Sequence, residues 1–537
     1  MVKDISLSLT LDEYIKLPDL GSNSSEKDLL MTALRMAHIP FSSKYQYKIL
    51  KKSIDARKKN AIRITFLVRL YDKEPISADN PVSLFLANPI MKQMPPVVVG
   101  FGPAGIFAAL ILARAGLCPI ILERGAQVDQ REEAVATFFS GGQLNVNSNV
   151  QFGEGGAGTF SDGKLYTGVS SPYRAYILQT FIASGAPEEI AYLTHPHIGT
   201  DRLRGVVKSI REEIIRLGGE FRFNTQMTDI VLDKGSLMGI MCVDTANPSR
   251  EESATFLPAR HVILAIGHSA RDTFRMLKDR SISLQQKPFS VGVRIEHLQE
   301  WMNTAQYGAM ASHPALSPAE YKAVSHQNNG RALYTFCMCP GGYVVGSASG
   351  INQTVTNGMS YYDRSGINAN SAILVPVDAR DFGESDVLAG MYFQESLEKN
   401  AFLAGGKNGF APCQRWEDFL HNRSSISCGE VQPTYKPGVT YTNLREYLPA
   451  YITDTICNGI PEIARKISNF AHPDSLLTGF ETRSSSPIRI LRDANYQSLS
   501  LPGIFLCGEG AGYAGGIMSS AIDGLECANR CLKTMAD

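Results

Sequence analysis

Cysteine pairs of the CxxC kind are missing from this chain of 537 residues, although it holds ten cysteines. The closest spacing is Cys337-Met338-Cys339. That pattern argues against a thioredoxin-type redox motif, a disulfide framework and a four-cysteine zinc site, so no metal site is expected. Net charge is also absent, with 52 basic and 52 acidic residues, so no global field recruits nucleic acid or an anionic membrane. Long apolar runs are scarce. Val97 to Ala113 carries no charge, but it is short for a membrane span, contains three glycines and a proline, and stops at Arg114. A buried strand–helix unit accounts for it better. Met1 to Leu7 lacks the apolar core of a signal peptide. The expectation is a cytoplasmic protein with reduced thiols and no membrane partner.

The stretch that organises the chain is Val97-Val-Val-Gly100-Phe-Gly102-Pro103-Ala104-Gly105. It reads as a strand, a tight turn and the start of an alanine-rich helix. A second apolar run, Ile120 to Leu122, ends on Glu123. Gly100 permits the turn, Gly102 lets the backbone approach a pyrophosphate, and Gly105 lets the helix lie close to the sheet. Glu123 stands 23 residues after Gly100, near the spacing of about 20 expected of a carboxylate that binds a ribose diol. The pattern predicts a dinucleotide-binding βαβ unit.

A loop with seven glycines between Gly141 and Gly163 follows. Interleaved with Phe152, Phe160 and Leu165, it reads as a ligand loop rather than a flexible linker. Its cation, Lys164, either meets an anionic group of the cofactor or pairs with Asp162. His195 and His197 lack a nearby set of metal-ligating partners and read as structural or substrate-facing. Ala259 to Gly267 reads as another buried parallel strand. Leu501 to Gly524 reads as a strand, Gly508-Glu509, a glycine turn at Gly515-Gly516 and a helix start at Ile517, whose amides would face negative charge.

The expected architecture is α/β. Residues 1–92 form a small α+β N-terminal domain. Residues 93–286 and 475–537 form a discontinuous Rossmann-like cofactor domain, three-layered with a parallel sheet. Residues 287–474 form a β-rich inserted substrate domain. That insert contains no second strand–GxGxxG–helix unit, which argues against a dedicated NAD(P)H domain. Pro340-Gly341-Gly342 between two β-prone runs reads as a hairpin. The residues around Ala78 and Pro89 read as linker. The basic run from Lys44 to Arg63 reads as a solvated face, with an RNA-docking surface as the sharper alternative.

Gly100 to Gly105 with Glu123, Gly267 after its strand, and Gly508-Glu509 resemble the cofactor signatures of FAD-binding flavoproteins, with Glu509 where an aspartate is usual. Asn149 to Lys164, His197 to Asp201, Gly292 to His297, Phe336 to Gly342 and Gly508 to Gly524 together resemble a bacterial family of uncharacterised FAD-dependent dehydrogenases or oxidoreductases. The resemblance spans nearly the whole chain. It implies FAD held at its pyrophosphate by Gly100, Gly102 and Gly105 and at its ribose by Glu123, with Pro103, Ala104 and Arg124 also among the cofactor-binding residues. Gln226 and Met227 would offer backbone to the adenine. Glu509 would meet the ribityl or phosphate region, Gly267 and Gly508 would also bind the cofactor, and Gly515, Gly516 and Ile517 would meet the flavin N1–C2=O end. The loop with Gly156, Thr159 and Lys164 would cover the isoalloxazine. The implied function is an FAD-dependent oxidoreductase with a small-molecule substrate and a transient NAD(P)H donor. The alternatives are an RNA- or protein-modifying factor and a non-catalytic flavin-binding protein. Catalytic candidates are Lys164, His197, Arg294 and His297.

Overall fold

The computed structural model describes residues 2–17, 23–42, 44–72, 94–246, 254–328 and 330–536, and for 23–28 the backbone alone. The expected linker around Ala78 and Pro89 therefore falls outside the described residues.

Five short strands make a parallel sheet in the order Ile504–Leu506, Val262–Leu264, Val97–Val99, Ile120–Leu122, Glu220–Arg222. Alternate residues of a strand point to opposite faces, and both faces of this sheet are covered. Val98, Ile121, Ile263 and Phe505 join a core shared with the helices Pro103–Arg114, Thr200–Arg216 and Ile517–Ala536. Val97, Val99, Leu122, Val262, Leu264, Ile504 and Leu506 face the other way. They pack on an antiparallel sheet of Thr225–Asp233, Ser236–Asp244 and Thr255–Pro258 and on the helix Arg271–Asp279. This is the three-layer, Rossmann-like arrangement the apolar runs imply. The helices Pro103–Arg114 and Ile517–Ala536 cross so closely that a Cβ on Gly524 would lie 2.0 Å from the Ala104 carbonyl oxygen. Both begin at the carboxyl ends of sheet strands, so both N-termini open toward the same place.

The β-rich domain is built on a seven-stranded sheet. Its order is Val324–His326, Ala332–Cys339, Asn368–Val377, Phe289–Leu298, Leu476–Glu481, Ala411–Arg415, Val439–Tyr441. All neighbours are antiparallel except the last pair. Two expectations need correction. The return to the cofactor domain is expected at residue 475, but Leu476–Glu481 pairs with Phe289–Leu298 and Ala411–Arg415 inside this sheet. It is fully buried, as a central strand must be, and the chain leaves the sheet after Glu481. The turn Pro340-Gly341-Gly342 does not close a hairpin, because Tyr343–Gly346 pairs with Thr356–Met359 instead of with Ala332–Cys339. Gly341, at φ +47°, packs so tightly on the Arg364 carbonyl that a Cβ would lie 1.7 Å from its oxygen. That contact turns the chain out of the sheet.

The N-terminal unit is an antiparallel sheet of Val2–Thr10, Arg63–Tyr71 and Gln46–Asp55, in that order, with the helix Asn23–Met36. It packs on Tyr307 and Ala319 of the β-rich domain. Two cations of the basic run are spent internally: Lys52 Nζ donates to Tyr14 and Lys59 Nζ to the Ala305 carbonyl, whereas Arg57 pairs with Asp55 at the surface. Among the described residues no helix is long and apolar enough to cross a membrane.

Candidate functional site

The glycine turn separates into two kinds of position. Gly100 has φ +96°, and a Cβ there would lie 2.4 Å from the Ala265 carbonyl oxygen. A Cβ on Gly105 would lie 1.9 Å from the oxygen of Gly100 itself. These two glycines are required by backbone meeting backbone. Gly102 differs: its backbone is extended at φ −82°, and a Cβ would find Gly156 Cα at 3.7 Å, ordinary contact. It caps the helix Pro103–Arg114 without a side-chain hydrogen bond, which leaves the first-turn amides for a ligand.

These amides border a cavity of about 540 Å³ at the carboxyl ends of the parallel strands. That volume falls within the range of roughly 300–1,000 Å³ usual for cofactor and ligand clefts. Glu123 lines it and is 5% exposed. Its carboxylate accepts from the backbone amides of Phe101 (2.9 Å), Gly125 (3.0 Å) and Gly153 (3.0 Å). It therefore ties the glycine turn to the glycine-rich loop, and one oxygen keeps room for a further donor. Beside it, Arg124 and Gln226 both donate to Asp272, at 2.8 and 2.7 Å, and Arg124 stacks on Phe152 at 4.3 Å.

Arg131 holds the loop. Its guanidinium, fully buried, donates to the carbonyls of Asn149 (2.8 Å), Val150 (3.0 Å), Gly153 (3.3 Å) and Glu154 (2.6 Å). Burial lowers the pKa of Arg131 to about 9. The loop reaches the turn through Gly155, whose amide donates to the Phe101 carbonyl at 2.8 Å.

Further along the cavity, Gly508 and Glu509 follow the strand Ile504–Leu506, and Gly267 and His268 follow Val262–Leu264. His268 Nδ1 lies 3.4 Å from Glu509, while its Nε2 is buried without a partner among the described residues. A Cβ added at Gly515 or Gly516 would meet nothing within 4 Å, so the N-terminus of Ile517–Ala536 is open to the cavity.

The far wall comes from the β-rich domain: Cys337, Met338, Glu481 and Arg483, with Lys164 and Tyr166 from the loop beside them. Lys164 donates to the Met338 carbonyl and lies 3.8 Å from Asp162. Burial disfavours its charge, but Cys337 and Asp162 outweigh this and hold its pKa above the ordinary lysine value. Arg294, fully buried, donates bidentately to Glu481 at 2.9 and 2.7 Å. Burial pushes Glu481 up to about 6 despite that pairing. Arg483 donates to Glu398, which also receives Arg271.

Of the residues implied as cofactor-binding, Gly100, Gly102, Pro103, Ala104, Glu123, Arg124, Gly156, Lys164, Gln226, Met227 and Gly267 line this one cavity, as do Gly508, Glu509, Gly515, Gly516 and Ile517. Gly105 and Thr159 do not. Gly105 packs on the turn, and Thr159 is 1% exposed, its hydroxyl on the Glu154 carbonyl. Among the catalytic candidates Lys164 lines the cavity. Arg294 sits behind the wall. His297 is corrected to a structural role: it is fully buried, with Nε2 2.8 Å from the Phe470 carbonyl. His197 stands away from the lining, stacked on Tyr362 with Nε2 3.0 Å from that residue's carbonyl. Sequence reasoning missed Asp272, Arg483 and the wall position of Cys337, whose partners come from distant segments.

A glycine cradle at two helix N-termini, an unpartnered histidine nitrogen and an acidic rim fit a dinucleotide cofactor, and the fold and site define a Rossmann-like flavoprotein. Residues 288–484 match the family "FAD-dependent protein, C-terminal domain-like", and residues 1–71 match a domain of unknown function. The chain is 46% identical over 500 residues to an uncharacterized protein of Clostridium beijerinckii, covering 90% of this chain and 92% of that one. It belongs to the same family as that protein, and its residues 288–484 carry the FAD-dependent match. Similar solved structures include a flavin-dependent brominase, at 10% identity, 82% and 79% coverage and TM-score 0.38. A second is the glycerol-3-phosphate dehydrogenase from Bacillus halodurans complexed with FAD, at 13% identity, 84% and 66% coverage and TM-score 0.34. At these scores nothing about substrate or reaction passes from them to this chain.

Proposed function

We propose that this protein is an FAD-dependent oxidoreductase that passes an electron pair between a small molecule and the flavin. The observation that carries the reading is the single cavity that joins the glycine cradle to a wall of ionisable and sulfur side chains from a second domain. Bound there, FAD supplies the redox chemistry, and the protein supplies orientation and electrostatics. The amides after Gly102 would hold the pyrophosphate, and the one free acceptor position of Glu123 would take a ribose hydroxyl. His268 Nε2 and Glu509 would meet the middle of the cofactor. The open N-terminus at Gly516-Ile517 would favour negative charge developing on reduction.

Lys164 is the cation placed to meet an anionic substrate or reduced cofactor, and Met338 and Asp162 fix its position. NADH or NADPH is proposed as a transient donor. The internally engaged Lys52 and Lys59 speak for a packing role of this part of the N-terminal unit over RNA docking. The test is the visible spectrum of the purified protein followed by anaerobic titration with NADH and NADPH. Flavin bands that bleach support the proposal. Flavin bands that no donor reduces favour a binding protein, and a protein that neither carries nor takes up FAD overturns it.

A further inference from the structure

The Cys337-Met338-Cys339 motif lies at an irregularity of the sheet. The strand Ala332–Cys339 pairs regularly with Asn368–Val377 as far as Phe336–Ala372, and the register then shifts so that Cys339 faces Asn370. At the shift Cys337 takes φ +44°, a left-handed conformation uncommon outside glycine. Cys337 lines the cavity and is half-buried, while Cys339 is fully buried. Cys339 Sγ donates to the Cys337 carbonyl at 3.4 Å.

Two cations converge on this pair. Arg294 Nη2 donates to the Cys337 carbonyl at 2.7 Å and to Cys339 Sγ at 3.5 Å. Lys164 Nζ donates to the Met338 carbonyl between them. The carboxylates nearby, Asp162 and Glu481, are already engaged by Arg364 and Arg294. Tyr166 and Tyr321 share the cavity wall. A thiolate gains nucleophilicity and redox reactivity when cations and a hydrogen-bond donor hold it in a partly exposed place. Strained backbone at such a residue is a common mark of function.

We propose that Cys337 and Cys339 are a redox-active pair in this cavity, cycling between a dithiol and a Cys337–Cys339 disulfide against the flavin. In the oxidising direction the Cys337 thiolate and the Cys339 thiol lose two electrons and one proton as the S–S bond forms. FAD takes up the two electrons and, with one further proton from solvent, becomes FADH2. The reverse direction reduces the disulfide. The inference rests on the oxidoreductase reading for its electron partner.

The Cys337 thiol is held below its usual range by its neighbour Cys339 and by the charges of Lys164 and Arg294, against its burial, while Cys339 is pushed up. At pH 6 Cys337 therefore holds more thiolate than an ordinary thiol, and the lower intrinsic nucleophilicity of a low-pKa thiolate offsets part of that gain.

The experiment is an anaerobic dithionite titration of the air-oxidised, FAD-loaded protein, with the Cys337→Ser and Cys339→Ser variants alongside. Wild type should take up four electrons per flavin and each variant two. The non-reduced digest should contain the Cys337–Cys339 crosslink. Iodoacetamide at pH 6 should label Cys337 of the reduced protein faster than the exposed Cys118. Two electrons in the wild type, with both thiols free after treatment with diamide, overturn the pair. If NADH still bleaches the flavin in that case, the oxidoreductase reading stands without it. A four-electron uptake that no nicotinamide drives retains the pair and removes that donor. A variant that loses flavin is replaced by mass mapping of the wild type, which decides the crosslink by itself.

Discussion

Gly102 and Gly105 belong to one motif, and the structure predicts opposite consequences when each becomes alanine. At Gly105 the new methyl would lie 1.9 Å from the Gly100 oxygen, so the helix Pro103–Arg114 must move off the sheet. Overpacking of this kind costs about 1–3 kcal/mol, and contact against backbone puts it at the upper end or beyond. At Gly102 the backbone is already extended, and the methyl meets one atom, Gly156 Cα, at 3.7 Å. The apoprotein should be unharmed or gain about 0.4–1 kcal/mol from a stiffer unfolded chain. The same methyl projects toward the cradle where the pyrophosphate is proposed to lie. A misfit there of about 1.5–3 kcal/mol weakens FAD by roughly ten- to a hundredfold. The assay is paired: fluorescence titration of each apoprotein with FAD, and urea unfolding of each apoprotein. Gly102→Ala should lose affinity with its unfolding midpoint retained, and Gly105→Ala should lose stability. Unchanged FAD affinity in a folded Gly102→Ala protein would refute the placement of the cofactor.

Further outcomes follow from other contacts. Arg131→Met leaves four loop carbonyls without their donor and should cost about 3–5 kcal/mol locally, read as faster amide exchange over residues 149–155 and as FAD loss. Gly524→Val drives a side chain into the Ala104 carbonyl, 2.0 Å from the Cβ, and should lower the thermal midpoint while leaving the N-terminal unit's own exchange pattern intact. His297 is held neutral in the fold, its pKa lowered by burial from 6.5 to about 4. The unfolded chain takes up the proton first as pH falls, so this group's share of stability is complete above about 6.5 and lost by about 4. The share amounts to about 3 kcal/mol. His297→Gln should flatten unfolding midpoints across that window, and an unaltered pH profile would count against the assignment.

What the sequence determined by itself is the local chemistry of adjacent residues. The apolar triplets Val97–Val99 and Ile120–Leu122, the glycines between them and the acid after them are contiguous, so strand, turn, helix and strand could be read directly. The open glycines before Ile517 were legible for the same reason: a turn and a helix start need no distant partner. Tertiary structure decided everything that depends on pairing across long separations. Leu476–Glu481 has the composition of any buried strand, and register alone assigns it to the β-rich sheet. The double glycine after Pro340 looked like a hairpin because the contact that redirects it, the Arg364 carbonyl, lies 23 residues away in sequence. His297 carried the same letter whether it faced a ligand or the core, and burial made it structural. Cys337 and Cys339 read as an uninformative spacing until folding set Lys164 and Arg294 against them. Charge and proximity between residues far apart in the chain are properties of the fold, and there the cavity acquires its chemistry.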